Sequence, residues 1–588
     1  MKELKRNIAH ILALCLMLTS IIPTYAAGIT LPEWSIVLEE TENEEILQPQ
    51  LEIIPGIAEE AVSENADDET AAGGIKKTLT ADPEGFPAEA ELKSADAAGS
   101  QEPVSYLDWD EGQKKLVPAT CSDYIVIASG GEYSFNEDTW YVVKGEVTIT
   151  DRITNNGTTT NPAHLILTDG CTFNVPAGIC NRTHTEMQGG LPYTIVNALV
   201  IYGQTNNSGI LQIDEVTEND AGIGGGSQEE GGTLTINGGT VNVTKKGLGA
   251  GIGGGTGGVG GTITINGGTV DATGGGDAAG IGGCKGEGGT ITINGGTVTA
   301  IGGSGGSGIG GGNSRAGGTI KISGGKVIAI ASGSNGGAGI GGGNGGACGT
   351  IEISGGEVTA IGGSGGAGIG GGNYDSQSSG SAGGTIIIKG GTVDATGGGN
   401  AAGIGGGHSG SGETIRISKG TIKATGGSGG AGIGGGNGGD GGIIEISGGT
   451  VTAMVGLDTS TGGAGIGGGN GGEGGKITIS GGTVTALATA STGGAGIGGG
   501  NGKAGGEITI SGGTVEALAT GSNAGVGNGA GYVGSDGTLS IEYTPVILLA
   551  GQNRASAIKR LKADYINDHQ TYPFALILNY SPRSGVSD

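Results

Sequence analysis

Between residues 221 and 530 the apolar positions recur on a fixed grid in a stretch rich in glycine. "AGIGGGNGGDGGIIEISGGTVTA", from Ala431 to Ala453, is representative. Alignment on the residue inside G-I-G gives Ile223, Ile252, Ile281, Ile309, Ile340, Ile369, Ile404, Ile433, Ile466, Ile497 and Val526, with most steps 28 to 31 residues long. A period of that length marks a repeat architecture. Within each unit two short runs, such as "TITI" and "TVTA", alternate apolar and polar residues, which predicts strands with one buried face.

The inward columns are uniform. One runs from Leu234 through Ile263, Ile291 and Ile320 to Ile508, another from Val241 through Val270 and Val298 to Val515, and alanine follows the second two residues later in nearly every unit. Three short strands per turn would stack these columns into a narrow aliphatic core, with glycine pairs at the corners supplying positive φ. The spacing therefore predicts an all-β, right-handed parallel β-helix of about eleven glycine-rich units rather than a flexible linker.

The outward positions test that register. In a parallel stack equivalent residues lie about 4.8 Å apart. Lys321 then falls beside Glu352, Arg416 beside Glu445, Lys476 beside Glu507, Lys326 beside Glu357 and Asp394 beside Lys423; only Asp271 and Glu516 lack an opposite neighbour in these four columns. Such complementarity favours sheet pairing. A further column, Asn313, Asn344, Asn373, Asn437, Asn470 and Asn501, with His408 in the same place once, reads as a structural ladder of stacked amides.

Outside the repeats the pattern changes. Lys2, Lys5 and Arg6, an apolar run from Ile8 to Ile22 and Thr24-Tyr25-Ala26 predict a signal peptide, residues 1–26. That run is shorter than the ~20 residues a membrane span needs, and no other transmembrane anchor is visible. Residues 27–100 read as an acidic disordered spacer. Residues 101–220 hold half of the aromatics and short apolar strands, predicting an N-terminal cap and the first rungs; 221–537 are the repeats and 538–588 a small C-terminal cap that includes a helical-looking "ASAIKRLKADY".

Composition narrows the function. Glycine is 142 of 588 residues, yet collagen is excluded because no Gly-X-Y period exists and only 14 prolines occur. The net charge of −28 argues against nucleic acid. With the leader removed five cysteines remain, of which Cys171 and Cys180 form the only close pair, so a disulfide between them stays open. No cysteine or histidine spacing suits zinc. "GGNGGDGGI" around Asp440 differs from the nonapeptide calcium repeat at its eighth position, Gly442, although isolated calcium sites stay open and no metal ligand set is assigned.

"WYVVKGEVTI", "HLILTDG", "LVIYGQ" and the repeated "AGIGGGNGG…ITISGGTVTA" together resemble secreted surface proteins of gut Firmicutes. More loosely, the "ITISGGTVTA" rungs are similar to a clostridial secreted carbohydrate-binding family with a right-handed parallel β-helix. That second resemblance implies binding of acidic polysaccharide with calcium, but none of that family's ligand residues maps onto a position here.

The reading is a secreted or cell-surface protein, monomeric, that binds extracellular polysaccharide or host glycan, or acts in adhesion, without catalysis. Aromatic rings are the usual sugar platforms, and the candidates are Trp109, Tyr133, Trp140 and Tyr141, for which cap or core packing is the competing explanation. The alternatives are a polysaccharide lyase or glycoside hydrolase, which needs convergent carboxylates that Asp271 and Glu516 do not provide, and a passive stalk. An ice-binding face is disfavoured because Lys321, Glu352, Ile387, Arg416 and Glu445 interrupt one threonine column.

Overall fold

The computed structural model describes residues 101–541 and 548–550, apart from 217–218, 335, 374–383, 457–461, 491–492, 520–523 and 533–536. The expected signal peptide, the acidic spacer and the helical-looking segment near the C-terminus lie outside the described residues. Within them the chain winds as a right-handed parallel β-helix.

Each repeat contributes three strands. The "TITI" and "TVTA" strands enter one sheet of 27 strands, and the two residues of I-G form a rung of a second sheet of 14 strands, counted among the described residues. The eleven aligned G-I-G positions are all rungs of that second sheet. Its three remaining strands, Ser134–Phe135, Ile153–Asn155 and Ile179–Cys180, come from the aromatic region and place it at the start of the coil.

The pairing follows the aligned columns residue by residue: Leu234 faces Ile263, Val241 faces Val270 and Ile281 faces Ile309. These side chains form one continuous buried cluster from Ile127 to Val526. Full burial of one such aliphatic side chain is worth about 1.5–3 kcal/mol, and every turn repeats four of them, as at Ile281, Ile291, Ile293 and Val298.

The turns close because one glycine has no side chain. In the I-G rung the glycine sits at φ +133 in Gly467, and a Cβ there would lie 2.0 Å from the Gly498 carbonyl oxygen of the next rung. The same contact recurs at Gly434 and Gly498, each with a Cβ position 2.0 Å from the following rung's oxygen. The high glycine content therefore serves close packing of backbone on backbone, the opposite of its role in a linker.

The outward charges stack as expected, with one exception. Arg416–Glu445 (2.8 Å), Lys423–Asp394 (3.0 Å), Lys476–Glu507 (3.0 Å) and Lys326–Glu357 (3.5 Å) close as ion pairs between register neighbours. Lys321 is also the register neighbour of Glu352, but that carboxylate turns to Lys389 Nζ at 2.9 Å, one rung further on. All are solvent-exposed pairs, each worth about 0–1 kcal/mol; they set register more than stability.

Two antiparallel hairpins depart from the coil. Val104–Asp110 and Lys115–Cys121 pair with each other and lie along the outside of the first rungs. Arg182–Gln188 and Leu191–Val196 form a second hairpin that joins the body through Glu230–Gly231. Cys171 and Cys180 are separate thiols, as are Cys121, Cys284 and Cys348.

Candidate functional site

The outward face of the first rungs differs from that of the repeats. Trp140, His164 and Val200 are register neighbours, as are Val142, Ile166 and Tyr202. Further along, these two columns become Thr235 and Asn237. An apolar outer face needs a cover, and the first hairpin supplies it. Val104, Tyr106 and Cys121 pack on Val142, Ile166 and Tyr202. The Tyr106 ring lies 4.9 Å from Trp140 and 4.8 Å from Tyr202.

Polar contacts fix the hairpin along the coil. Gln204 Nε2 donates to the Ser105 carbonyl oxygen at 2.8 Å, and Asn237 Nδ2 donates to Asp108 Oδ1 at 3.1 Å. Beneath it, His164 stacks on Trp140 with ring centres 4.1 Å apart and planes 7° from parallel, and its Nδ1 is hydrogen-bonded to the Tyr202 hydroxyl at 2.9 Å. Burial lowers the His164 pKa below the usual histidine value, against the opposing pull of Asp138 and Asp108. Burial likewise drives the Tyr202 phenol far above its ordinary range.

Where the hairpin runs into the first rung, a cavity of about 650 Å³ opens. Asp123, Tyr124 and Ile125 line it from the hairpin exit, and Asp138, Thr139 and Trp140 from the turn before the Trp140 strand. Asp138 takes the left-handed conformation (φ +47) that aspartate tolerates better than most residues. The Tyr124 hydroxyl donates to the Glu102 carbonyl oxygen at 2.9 Å and accepts from Lys144 Nζ at 3.1 Å, with the ammonium 5.0 Å from the ring centre. The cavity thus combines aromatic rings, an exposed aliphatic side chain and two carboxylates.

The four candidate aromatics occupy different environments. Trp140 lines the cavity. Tyr141 is buried in the aliphatic core at 2% exposure, its hydroxyl accepting from the Asn136 amide at 2.9 Å, so it presents no surface to a ligand. Tyr133 packs edge-on against Phe135 and Tyr141. Trp109 is near the tip of the first hairpin.

The asparagine column is continuous only in part. Asn344 Nδ2 donates to Asn313 Oδ1 and Asn470 Nδ2 to Asn437 Oδ1, both at 3.3 Å, and the lower ends rest on Asp277 and Asn400. At Asn373 and Asn501 it is the backbone carbonyl oxygen that meets the preceding turn, accepting from the amides of Gly345 and Gly471. A tighter amide ladder stands at the corner after the "TI" strand. Asn266 Nδ2 donates to Asn237 Oδ1 and Asn294 Nδ2 to Asn266 Oδ1, each at 2.8 Å, and Ser323 ends it by donating to Asn294 Oδ1 at 2.8 Å. Its signal was the recurring "TINGG".

Beside the interrupted threonine column runs an unbroken one. Thr233, Thr262, Thr290, Thr319, Thr350, Thr385 and Thr414 are uninterrupted register neighbours. Two residues on, Lys321, Glu352 and Arg416 break the parallel column, so the hydroxyl stripe is a single residue wide beyond Thr292.

Among curated proteins and solved structures none matches this chain. Ten segments do match the family described as beta helix repeat: 234–256, 263–287, 291–313, 320–344, 351–373, 386–408, 415–437, 444–470, 477–501 and 508–532. Each begins at the inward aliphatic residue of a "TITI"-type strand and runs past the following G-I-G rung or, in the first two, into it and its turn. Between residues 234 and 532 the chain is thus similar, turn after turn, to the beta helix repeat family.

Proposed function

We propose that this chain is a secreted or cell-surface β-helix protein that holds an extracellular carbohydrate at the N-terminal end of the coil and serves adhesion, without catalysis. The observation that carries the reading is the cavity beside Trp140, where the indole and the exposed Ile125 offer apolar surface while Asp123, Asp138 and Thr139 offer hydrogen-bonding groups. The resemblance to surface proteins of gut Firmicutes supports the location, and the regular rungs suit a stalk that holds the site away from its base.

Affinity electrophoresis of the full chain through gels containing xylan, mucin or polygalacturonate tests it. Retardation in at least one gel, lost in Trp140→Ala while hydrogen exchange shows the repeat rungs still folded, is the expected result. Migration unaffected by every gel would leave the passive stalk as the better reading.

A hydrolase or lyase has one specific observation in its favour: two carboxylates, Asp123 and Asp138, line one cavity. Incubation with the retarding polymer distinguishes the two. Release of reducing ends or unsaturated products, abolished by Asp138→Asn, would replace binding by catalysis.

A further inference from the structure

We infer that the cavity beside Trp140 selects sugars without carboxylates and prefers an amine-bearing one. This rests on the glycan reading above and narrows its ligand class. It departs from the acidic polysaccharide that the clostridial resemblance implies.

The argument begins with charge. Asp123 and Asp138 approach the cavity from two separate segments, and among the described residues no lysine, arginine or histidine lines it. The nearby Lys144 is engaged with Tyr124, through its hydroxyl and over its ring. His164, stacked on Trp140, is held towards its neutral form by burial. The net charge of the whole chain, −28, adds a field of the same sign.

A uronic acid entering this cavity would bring a carboxylate against two others and lose hydration without a cationic partner. Like-charge juxtaposition of this kind works against a ligand. A bridging metal ion would relieve it, but among the described residues no three His, Cys, Asp or Glu side chains are grouped to hold one. A neutral sugar meets no such repulsion: its hydroxyls donate to the carboxylates while its C–H face lies on the rings. An ammonium group adds charge-assisted hydrogen bonds to the same oxygens.

Calorimetric titration of the full chain with three tetrasaccharides tests this: a glucosamine tetramer, its N-acetylated form and a galacturonic acid tetramer. The amine form is expected to bind about tenfold tighter than the neutral form at low salt, a preference that narrows as salt rises. The galacturonate tetramer is expected to give no heat of binding. In the double variant Asp123→Asn/Asp138→Asn both sugars are expected to bind more weakly than to wild type, and the tenfold preference between them disappears. Binding of galacturonate as tight as that of either other sugar would overturn the inference while leaving glycan binding intact. A preference that survives in the double variant would overturn it too, by placing the selectivity in the general surface charge. Failure of all three tetramers, together with unretarded migration in every gel, would instead overturn the glycan reading itself.

Discussion

Two alanine substitutions four residues apart should differ sharply in cost, and the difference tests the role assigned to glycine. Gly467 and Gly471 both have positive φ, +133 and +76. Around Gly471 no atom lies within 4 Å of the Cβ position, whereas at Gly467 the Gly498 carbonyl oxygen lies at 2.0 Å. That oxygen also accepts the Gly468 amide at 3.0 Å, and the neighbouring Ile466 amide donates to the Gly496 oxygen at 2.9 Å. Gly471→Ala therefore incurs backbone strain of about 1–2 kcal/mol, partly offset by about 0.4–1 kcal/mol from a stiffer unfolded chain. Gly467→Ala adds the separation of two rungs, which disrupts two buried backbone hydrogen bonds at about 1–3 kcal/mol each. The expected totals are roughly 1 kcal/mol for Gly471→Ala and roughly 2–8 kcal/mol for Gly467→Ala.

Because each rung touches only its neighbours, the loss should be local. Hydrogen exchange read by mass spectrometry is the suitable assay. Peptides covering the rungs at Ile466 and Ile497 should exchange much faster in Gly467→Ala, while those near Ile281 keep wild-type protection. Gly471→Ala should leave the whole map nearly unchanged. Equal protection in the two variants would refute the claim that glycine is there for backbone contact, and uniform loss along the coil would refute its nearest-neighbour character.

Three further outcomes follow from the same geometry. Asn266→Ala strips partners from Asn237 Oδ1 and Asn294 Nδ2 and should cost about 1–3 kcal/mol by chemical denaturation; Asn266→Ser should cost less, since Ser323 already closes the ladder one position on. A thiol reagent should modify half-buried Cys180 in the native protein but reach Cys348 only after denaturant is added, because Cys348 is fully buried and its thiol pKa is raised by that burial. His164, whose pKa is lowered in the fold from 6.5 by burial, stabilises fully above about pH 6.5, and this contribution is lost as pH falls towards the folded value, since the unfolded chain takes up the proton first. Melting curves of wild type and His164→Gln should therefore converge on acidification from pH 7.5 to 5, and a constant gap between them would contradict the assignment.

Much of the fold was legible because the repeat is its own alignment. Ile263 and Ile291 can be paired on paper, and the charge of Arg416 against Glu445 checks the register without coordinates. What failed was reach. Lys321 and Glu352 are register neighbours, yet a long side chain has several partners within range, and Glu352 meets Lys389 instead. The stronger amide ladder at Asn237, Asn266 and Asn294 was overlooked because it spans only three rungs before serine replaces it. The site was less legible still. Trp140 and Tyr141 are adjacent in sequence, and strand alternation sends one outwards to the cavity and the other into the core. Aromatic content alone does not separate them. That Asp123 and Asp138 share a cavity depends on where the first hairpin returns to the coil, which no local pattern encodes.

The division of the chain follows from what repetition demands. Within the repeats, every turn must present small atoms where rungs touch, aliphatic side chains inwards and balanced charges outwards. Those constraints leave few positions at which unlike groups converge, as Asp271 illustrates: its register neighbours are Asn242 and Thr299, and no second carboxylate is brought to it. The first rungs escape this. They have a non-repeating partner, the Val104–Cys121 hairpin, so aromatic residues can face outwards and still be covered, and the edge of that cover leaves a concave space lined from two segments. A β-helix of this kind concentrates its chemistry where the repeat is broken. Charge substitutions spread along the rungs should therefore leave ligand binding unchanged, while single changes at Asp123, Asp138 or Trp140 alter it.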